Sequence, residues 1–146
     1  MCLRLFTVYG PRQRPEMAIA RVIRSIEEGE PIPFYGDGGS RRDYTYVDDI
    51  VDGLEAALAA PPSFEIVNLG GAHPVTLAQL VEQIEAATGK KARLERLPDQ
   101  PGDVPATFAS IEKAERLLRF RARVSLEEGL RRCVAWHRGP ESRTGA

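Results

Sequence analysis

The opening stretch MCLRLFTVY constrains the fold of this 146-residue chain more than any other. Nine residues that are almost all apolar or strand-forming suit a strand covered on both faces, as in a parallel sheet, better than an amphipathic edge. Such a strand needs neighbours, and parallel neighbours need helical crossovers. After the loop GPRQRP, the segment EMAIARVIRSIEEG sets Met17, Ala20, Ile23 and Ile26 at helical spacing and stops at Gly29. PIPFY is a short extended segment whose two prolines fit a sheet edge. GDGG forms a turn and RRDYTYV alternates as a strand; Asp48 falls where an N-cap belongs for the helix DIVDGLEAALAA, which Pro61 and Pro62 end. FEIVNLGG is a strand running into a glycine turn, and Thr76 with Gln79 makes a capping box for LAQLVEQIEAATG. ARLERLP alternates like a strand, DQPGD is a loop, and two more helices start near Ser110 and near Ser125, the latter with Glu128 at its third position. The tail after Arg138 is expected to be disordered. Strands and helices interleave throughout, which predicts an α/β or α+β domain with several short strands.

Charge and composition exclude several functions. With 20 basic and 21 acidic residues the net charge is −1, so no overall field recruits nucleic acid or an anionic membrane. Apolar runs fall short of the roughly 18 residues of a membrane span, and the N-terminal run has neither a basic leader nor a cleavage site; the expectation is a cytoplasmic protein. Cys2 and Cys133 lie in apolar contexts without metal-ligand spacing and read as two buried free thiols. No set of the thirteen glycines satisfies GxGxxG or GxxGxxG, and there is no Walker loop. His73 and His137 are far apart in sequence, and Asp37, Asp43, Asp48 and Asp49 lack the spacing of a calcium loop, so no metal site is expected.

Arginine remains. Arg12, Arg14, Arg21, Arg41 and Arg42 lie in the first third of the chain. On a strand, Arg42, Tyr44 and Tyr46 share one face, and Asp43, Thr45 and Val47 the other. A guanidinium fixed on a strand is a planar fork suited to phosphate oxygens. Solvated surface charge, or pairing with Asp37 and Asp43, accounts for the same residues.

The segments RLFTVYGPRQRPEMA, PIPFYGDGGSRRDYTYVDDIVDGL, VNLGG and LPDQPGDVPATFA occur in that order. Together they resemble the C-terminal part of the extended short-chain dehydrogenase/reductases, the NAD-dependent epimerase/dehydratase family, and most closely its UDP-glucuronate 4-epimerase branch. The resemblance covers residues 3 to about 138. It implies the substrate-binding lobe of a nucleotide-sugar epimerase with one leftover strand of a Rossmann sheet, short strands interleaving with about five helices. Residues 1–10 would be the last part of the dinucleotide-binding domain, 11–138 the nucleotide-sugar-binding domain and 139–146 the tail. In the family the arginine at the place of Arg42 is a ligand of the pyrophosphate. Thr7 matches a position that contacts the hexose, and Phe6 one that lies against the nicotinamide. Arg14 and Arg21 match basic residues near the sugar diphosphate, Phe34 and Tyr35 the segment bordering the uracil, and Gln100 and Asp103 the loop that closes over the nucleotide. Phe6 and Phe34 can equally be core residues, and Asp103 a turn former.

The resemblance also implies what chemistry to look for. Family members move a hydride reversibly between C4 of the sugar and NAD, with the tyrosine of a YxxxK motif as base. Four residues beyond Tyr9, Tyr35, Tyr44 and Tyr46 stand Gln13, Gly39, Asp48 and Ile50. No catalytic residue is therefore assigned, and the chain alone is expected to bind a UDP-sugar but neither NAD nor the reaction's transition state. A non-catalytic nucleotide-sugar-binding or interaction module is the alternative; within the family, a UDP-glucose 4-epimerase, a 4,6-dehydratase or a UDP-glucuronate decarboxylase. Arg119 stands where the family has a helix-terminating glycine, and Ser110 replaces a common aspartate as cap. A first strand without its sheet neighbours predicts self-association, or pairing with a partner, through residues 3–8.

Overall fold

A computed structural model describes residues 1–61, 64–99 and 102–140. Eight short strands and five helices alternate along it: β1 (Cys2–Leu5), β2 (Thr7–Tyr9), α1 (Ala18–Glu28), β3 (Pro31–Tyr35), β4 (Arg41–Arg42), β5 (Tyr44–Tyr46), α2 (Val47–Ala59), β6 (Ile66–Leu69), β7 (Val75–Thr76), α3 (Leu77–Thr88), β8 (Arg93–Leu97), α4 (Glu112–Leu118) and α5 (Leu126–Arg138). The strands join in pairs. β1 runs parallel to β6, β2 to β5 and β3 to β8, while β4 is antiparallel to β7. This is the mixed α/β architecture expected.

The apolar opening stretch is two strands, not one. The chain breaks at Phe6, so that Cys2–Leu5 follows β6 and Thr7–Tyr9 follows β5. The second piece enters the core, with Tyr9 only 1% exposed, whereas Leu5 is 48% exposed on a strand whose sheet holds one neighbour. Coverage on both faces is thus not met at β1. For the same reason Cys2 is exposed, contrary to the expectation of two buried thiols; Cys133 is buried, and burial pushes its thiol up to about 11.

Local signals decide most helix ends. Gly29 closes α1 in the left-handed conformation (φ 74°), its N–H reaching the Ile26 carbonyl. The buried face of α1 is Ile19, Val22, Ile23 and Ile26, so Met17 and Ala20 flank the core. Thr76 and Gln79 exchange both hydrogen bonds of a capping box, and the Ser125 Oγ accepts from the Glu128 N–H at 3.2 Å. Two expected caps fail. β5 runs straight into α2, so the cap position falls on Tyr46, and Asp48 sits exposed in the first helical turn, 3.5 Å from the Arg132 guanidinium. α4 begins behind Ile111 with no side-chain cap; Ser110 instead offers its carbonyl to Asn68 Nδ2 at 3.2 Å.

Two apolar clusters organise the interior. One joins Tyr9 and Tyr46 to α1, α3 and α5; the other joins Val67 and Leu69 to Ile50, Ala114, Leu118 and Phe120. α5 approaches Tyr9 so closely that a Cβ on Gly129 would lie 2.1 Å from the tyrosine oxygen. Arg119 ends α4 at φ 53°, a left-handed position that penalises any side chain. Arg119→Gly is expected to stabilise the fold by about 1 kcal/mol, read as a higher thermal unfolding midpoint.

Candidate functional site

The run Arg41, Arg42, Asp43 is held in place by three different kinds of contact. At Arg41 it is the backbone: its N–H donates to the Pro105 carbonyl (2.8 Å) and its carbonyl accepts from the Thr107 N–H (3.1 Å), so that residues 105–107 lie alongside β4. At Arg42 it is the side chain. One guanidinium nitrogen donates to the Arg41 carbonyl at 2.7 Å and another to the Asp103 carboxylate, giving an ion pair in which the arginine side chain is 21% exposed and the aspartate 46%. At Asp43 it is a carboxylate with no exposed surface. It accepts from the N–H groups of Gly71 (3.0 Å), Ala72 (3.1 Å) and Ala109 (3.0 Å).

Asp43 breaks the expected single strand RRDYTYV in two. Beyond it, Tyr44 and Tyr46 turn toward Tyr9, their ring centroids 6.4 and 5.6 Å from it at steep angles, while Thr45 is buried on the opposite side. Burial holds the Tyr44 hydroxyl above its ordinary range, against the lowering effect of the Arg42 charge. The register of β2 with β5 sets half-buried Thr7 opposite Tyr44, two residues along from Arg42. Phe6, half-buried, is tied by its N–H to the Leu69 carbonyl at 3.0 Å.

The other predicted positions lie around this frame. Phe34 is buried at 4% exposure beneath Gly38, where a Cβ would fall 2.2 Å from the ring, and the Arg96 guanidinium stands 5.4 Å from the ring centroid. Tyr35 is half-buried next to it. Arg14 is exposed on the loop before α1, with Glu16 at 3.6 Å. Arg21 is half-buried on α1, its Nε enclosed without a hydrogen-bond partner among the described residues. The structure therefore brings Arg42 and Asp103 into contact and Thr7 close by, while Arg14 pairs with Glu16 rather than with Asp103 and Arg21 lies on α1. Gln100 lies outside the described residues. No cluster of histidine, cysteine and acidic groups suited to a metal occurs among the described residues, and none of their helices is long and apolar enough to cross a membrane.

Sequence reasoning missed the anchoring role of Asp43, and also that of Asp49, which is 4% exposed and accepts from the N–H groups of Arg123 and Val124 at 3.0 and 3.1 Å. A signal existed for Asp43: on the alternating strand it shares a face with Thr45 and Val47, where a carboxylate must find donors.

The sequence pattern of the NAD dependent epimerase/dehydratase family matches residues 1–70. A UDP-glucuronate 4-epimerase of Thermodesulfobacterium geofontis is 47% identical over 135 residues, covering 92% of this chain and 42% of that protein. Among solved structures, MoeE5 in complex with UDP-glucuronic acid and NAD superposes with a TM-score of 0.88 at 38% identity, over 93% of this chain and 46% of that one. The UDP-glucuronic acid 4-epimerase of Bacillus cereus, in complex with UDP-glucuronic acid and NAD, gives 0.87 at 40% identity, over 92% and 43%.

The chain is similar to the NAD dependent epimerase/dehydratase family.

It spans less than half the length of these family relatives. Neither a glycine fingerprint of the form GxGxxG or GxxGxxG nor a YxxxK pair occurs in the sequence. Tyr9 and Tyr46 are core residues rather than candidate bases. What the chain does contain is the Arg42–Asp103 pair and the Asp43 anchor beneath it. Asp43→Asn turns an amide donor toward backbone donors and is expected to cost about 2–4 kcal/mol. Thermal unfolding measures the loss, and hydrogen exchange should localise it to the amides of Gly71, Ala72 and Ala109.

Proposed function

We propose that this chain is the nucleotide-sugar-binding portion of a UDP-glucuronate 4-epimerase, holding the UDP-sugar without supplying the groups that oxidise it. The observation that carries the reading is Arg42: a half-buried guanidinium, fixed by strand backbone and by the buried carboxylate of the next residue, whose counter-charge is the more exposed Asp103. A half-exposed ion pair of this kind contributes about 0–1 kcal/mol, so a diphosphate can take the guanidinium's donors at little cost. Two phosphate oxygens match the guanidinium fork better than one carboxylate oxygen does.

The remaining roles follow the family resemblance. Thr7, beside Tyr44, faces the hexose. Arg14, exposed on its loop, and Arg21, with an enclosed and unpartnered Nε, supply positive charge toward the sugar diphosphate and its acidic sugar. Phe34 stiffens the turn at Gly38, and Tyr35 borders the base. Asp103 and Gln100 belong to the segment that closes over the nucleotide. No step of hydride transfer is assigned to these 146 residues, and the reaction is reserved for a protein that also carries the tyrosine base and the dinucleotide site. Relatives and neighbours named for UDP-glucose, such as the Thermotoga maritima epimerase structure at 34% identity, make that sugar nucleotide the alternative ligand.

Titration calorimetry checks the proposal. UDP-glucuronate and UDP should both bind, and Arg42→Ala should weaken both by about 10- to 100-fold, the loss of one or two charge-assisted hydrogen bonds. Arg14→Ala should weaken UDP-glucuronate more than UDP-glucose. No turnover should occur with added NAD. Absence of binding, or binding indifferent to Arg42, would overturn the reading.

A further inference from the structure

A small cavity between α1, α5 and the loop after β2 encloses two polar atoms of opposite kind. It measures about 30 Å3 and is lined by Gly10 and Gln13 of the loop, Ile19 and Ile23 of α1, and Cys133 and Trp136 of α5. Gln13 Oε1 and Trp136 Nε1 are both buried without a hydrogen-bond partner among the described residues. Chemistry fixes which way the Gln13 amide points. Its Nε2 donates to the Val8 carbonyl at 2.9 Å, and a carbonyl accepts only from a donor, so Oε1 is the atom left over. The cavity thus presents one acceptor in need of a donor and one N–H in need of an acceptor, and the two do not bond each other.

One water satisfies both, donating to the carbonyl and accepting from the indole. An ammonium ion only donates and a carboxylate only accepts, so neither serves the pair. Size agrees: a water needs roughly 10–15 Å3 of such space, whereas a small-molecule pocket offers roughly 300 Å3 or more. The loop also has use for an anchor. Arg12 stands at φ 62°, a left-handed conformation that disfavours any side chain and persists only where the surroundings impose it. Gln13, the next residue, is tied to β2 through its Nε2, and its backbone N–H donates to the Gly10 carbonyl at 3.3 Å. Through Oε1 it reaches toward α5, whose own place is set by the close packing of Gly129 on Tyr9. Arg14 follows directly.

We infer that one water molecule bridges Gln13 Oε1 and Trp136 Nε1, and that Gln13 and Trp136 are thereby positioning residues for Arg14, tying its loop to α5. A bridging water of this kind holds two groups nearly as well as a direct hydrogen bond. Losing the indole donor would free one end of the Gln13 side chain and leave the strained turn at Arg12 with one anchor fewer. What Arg14 then meets rests on the proposed function; the bridge itself does not.

Trp136 is the one tryptophan of the chain, so its indole N–H gives a single resonance. In the 146-residue chain that proton should show a nuclear Overhauser contact with a long-lived water, a reading that needs no variant to fold. Trp136→Phe keeps an aromatic ring and removes the donor; the Gln13 amide should then exchange about tenfold faster. UDP-glucuronate affinity should fall by about three- to tenfold in calorimetry, and UDP-glucose affinity by less. In an Arg14→Ala background the same substitution should leave UDP-glucuronate affinity where it was. No water contact at the indole, a direct hydrogen bond from Trp136 to Gln13, or unchanged Gln13 exchange overturns the bridge. A loss equal for both ligands, or one that persists without Arg14, overturns the positioning role. A chain that shows the water and binds no UDP-sugar sinks the functional proposal and leaves the bridge; affinity that depends on Arg42, without the water, does the reverse.

Discussion

A carboxylate with no exposed surface must take its hydrogen bonds from the protein, and Asp43 takes three from backbone N–H groups. The donors come from 28, 29 and 66 residues further along the chain. One side chain therefore ties the end of β4, the turn after β6 and the segment before α4 into a single junction. Replacing a carboxylate by an apolar group would leave three donors unmet, each costing about 1–3 kcal/mol. The glycine at 71 belongs to the same junction: a Cβ there would fall 2.9 Å from the Tyr44 carbonyl and 3.0 Å from the Asp43 carboxylate. Small size at that turn is what lets the backbone approach the acid.

The junction explains why Arg42 and Tyr44 point where they do. With Asp43 drawn inward, its neighbours on both sides are constrained in backbone direction. Arg42 then belongs to the β4–β7 pair and Tyr44 to the β2–β5 pair. The backbone of Arg41 holds residues 105–107 on the same side, which delivers Asp103 to the guanidinium. In the proposed role, affinity for a diphosphate and the placement of the segment that carries Asp103 thus depend on the same three consecutive residues. Asp49 repeats the device six residues on, binding the N–H groups of Arg123 and Val124 and so fixing the approach to α5.

Features governed by neighbours in sequence were readable. The Thr76–Gln79 capping box, the Ser125 cap and the left-handed Gly29 need only a few residues of context, and each occurs where its pattern predicts; the left-handed Arg119 was legible only through the family resemblance. Features governed by distant partners were not. Asp43 and Asp49 look like surface acids until the segments that donate to them arrive from elsewhere in the chain. Asp48 has a cap's composition, but β5 joins α2 without a turn, and the cap position moved to Tyr46. Ser110 failed for the same reason: its segment is fixed by Asn68 rather than by the helix it precedes. At β1, periodicity reported a strand buried on both faces, which states what the strand needs and not what this chain provides.

The two apolar clusters differ in how completely they are closed. Tyr9, α1, α3 and α5 close a core that includes no residue of β1, and Tyr46 and Leu130 are buried within it. The second cluster, under β6, is the one that β1 joins only through Leu3 and that α2 covers only in part. Open apolar area on that side comprises Leu5, Val51, Leu54 and Leu58, while Leu94, Val104, Phe108 and Leu117 are exposed elsewhere. In the proposed role, the Arg42 junction draws its hydrogen bonds from β4, the β6 turn and residues 103–109, none of which lies on the open side of β1, so the nucleotide-binding geometry does not depend on what covers that side.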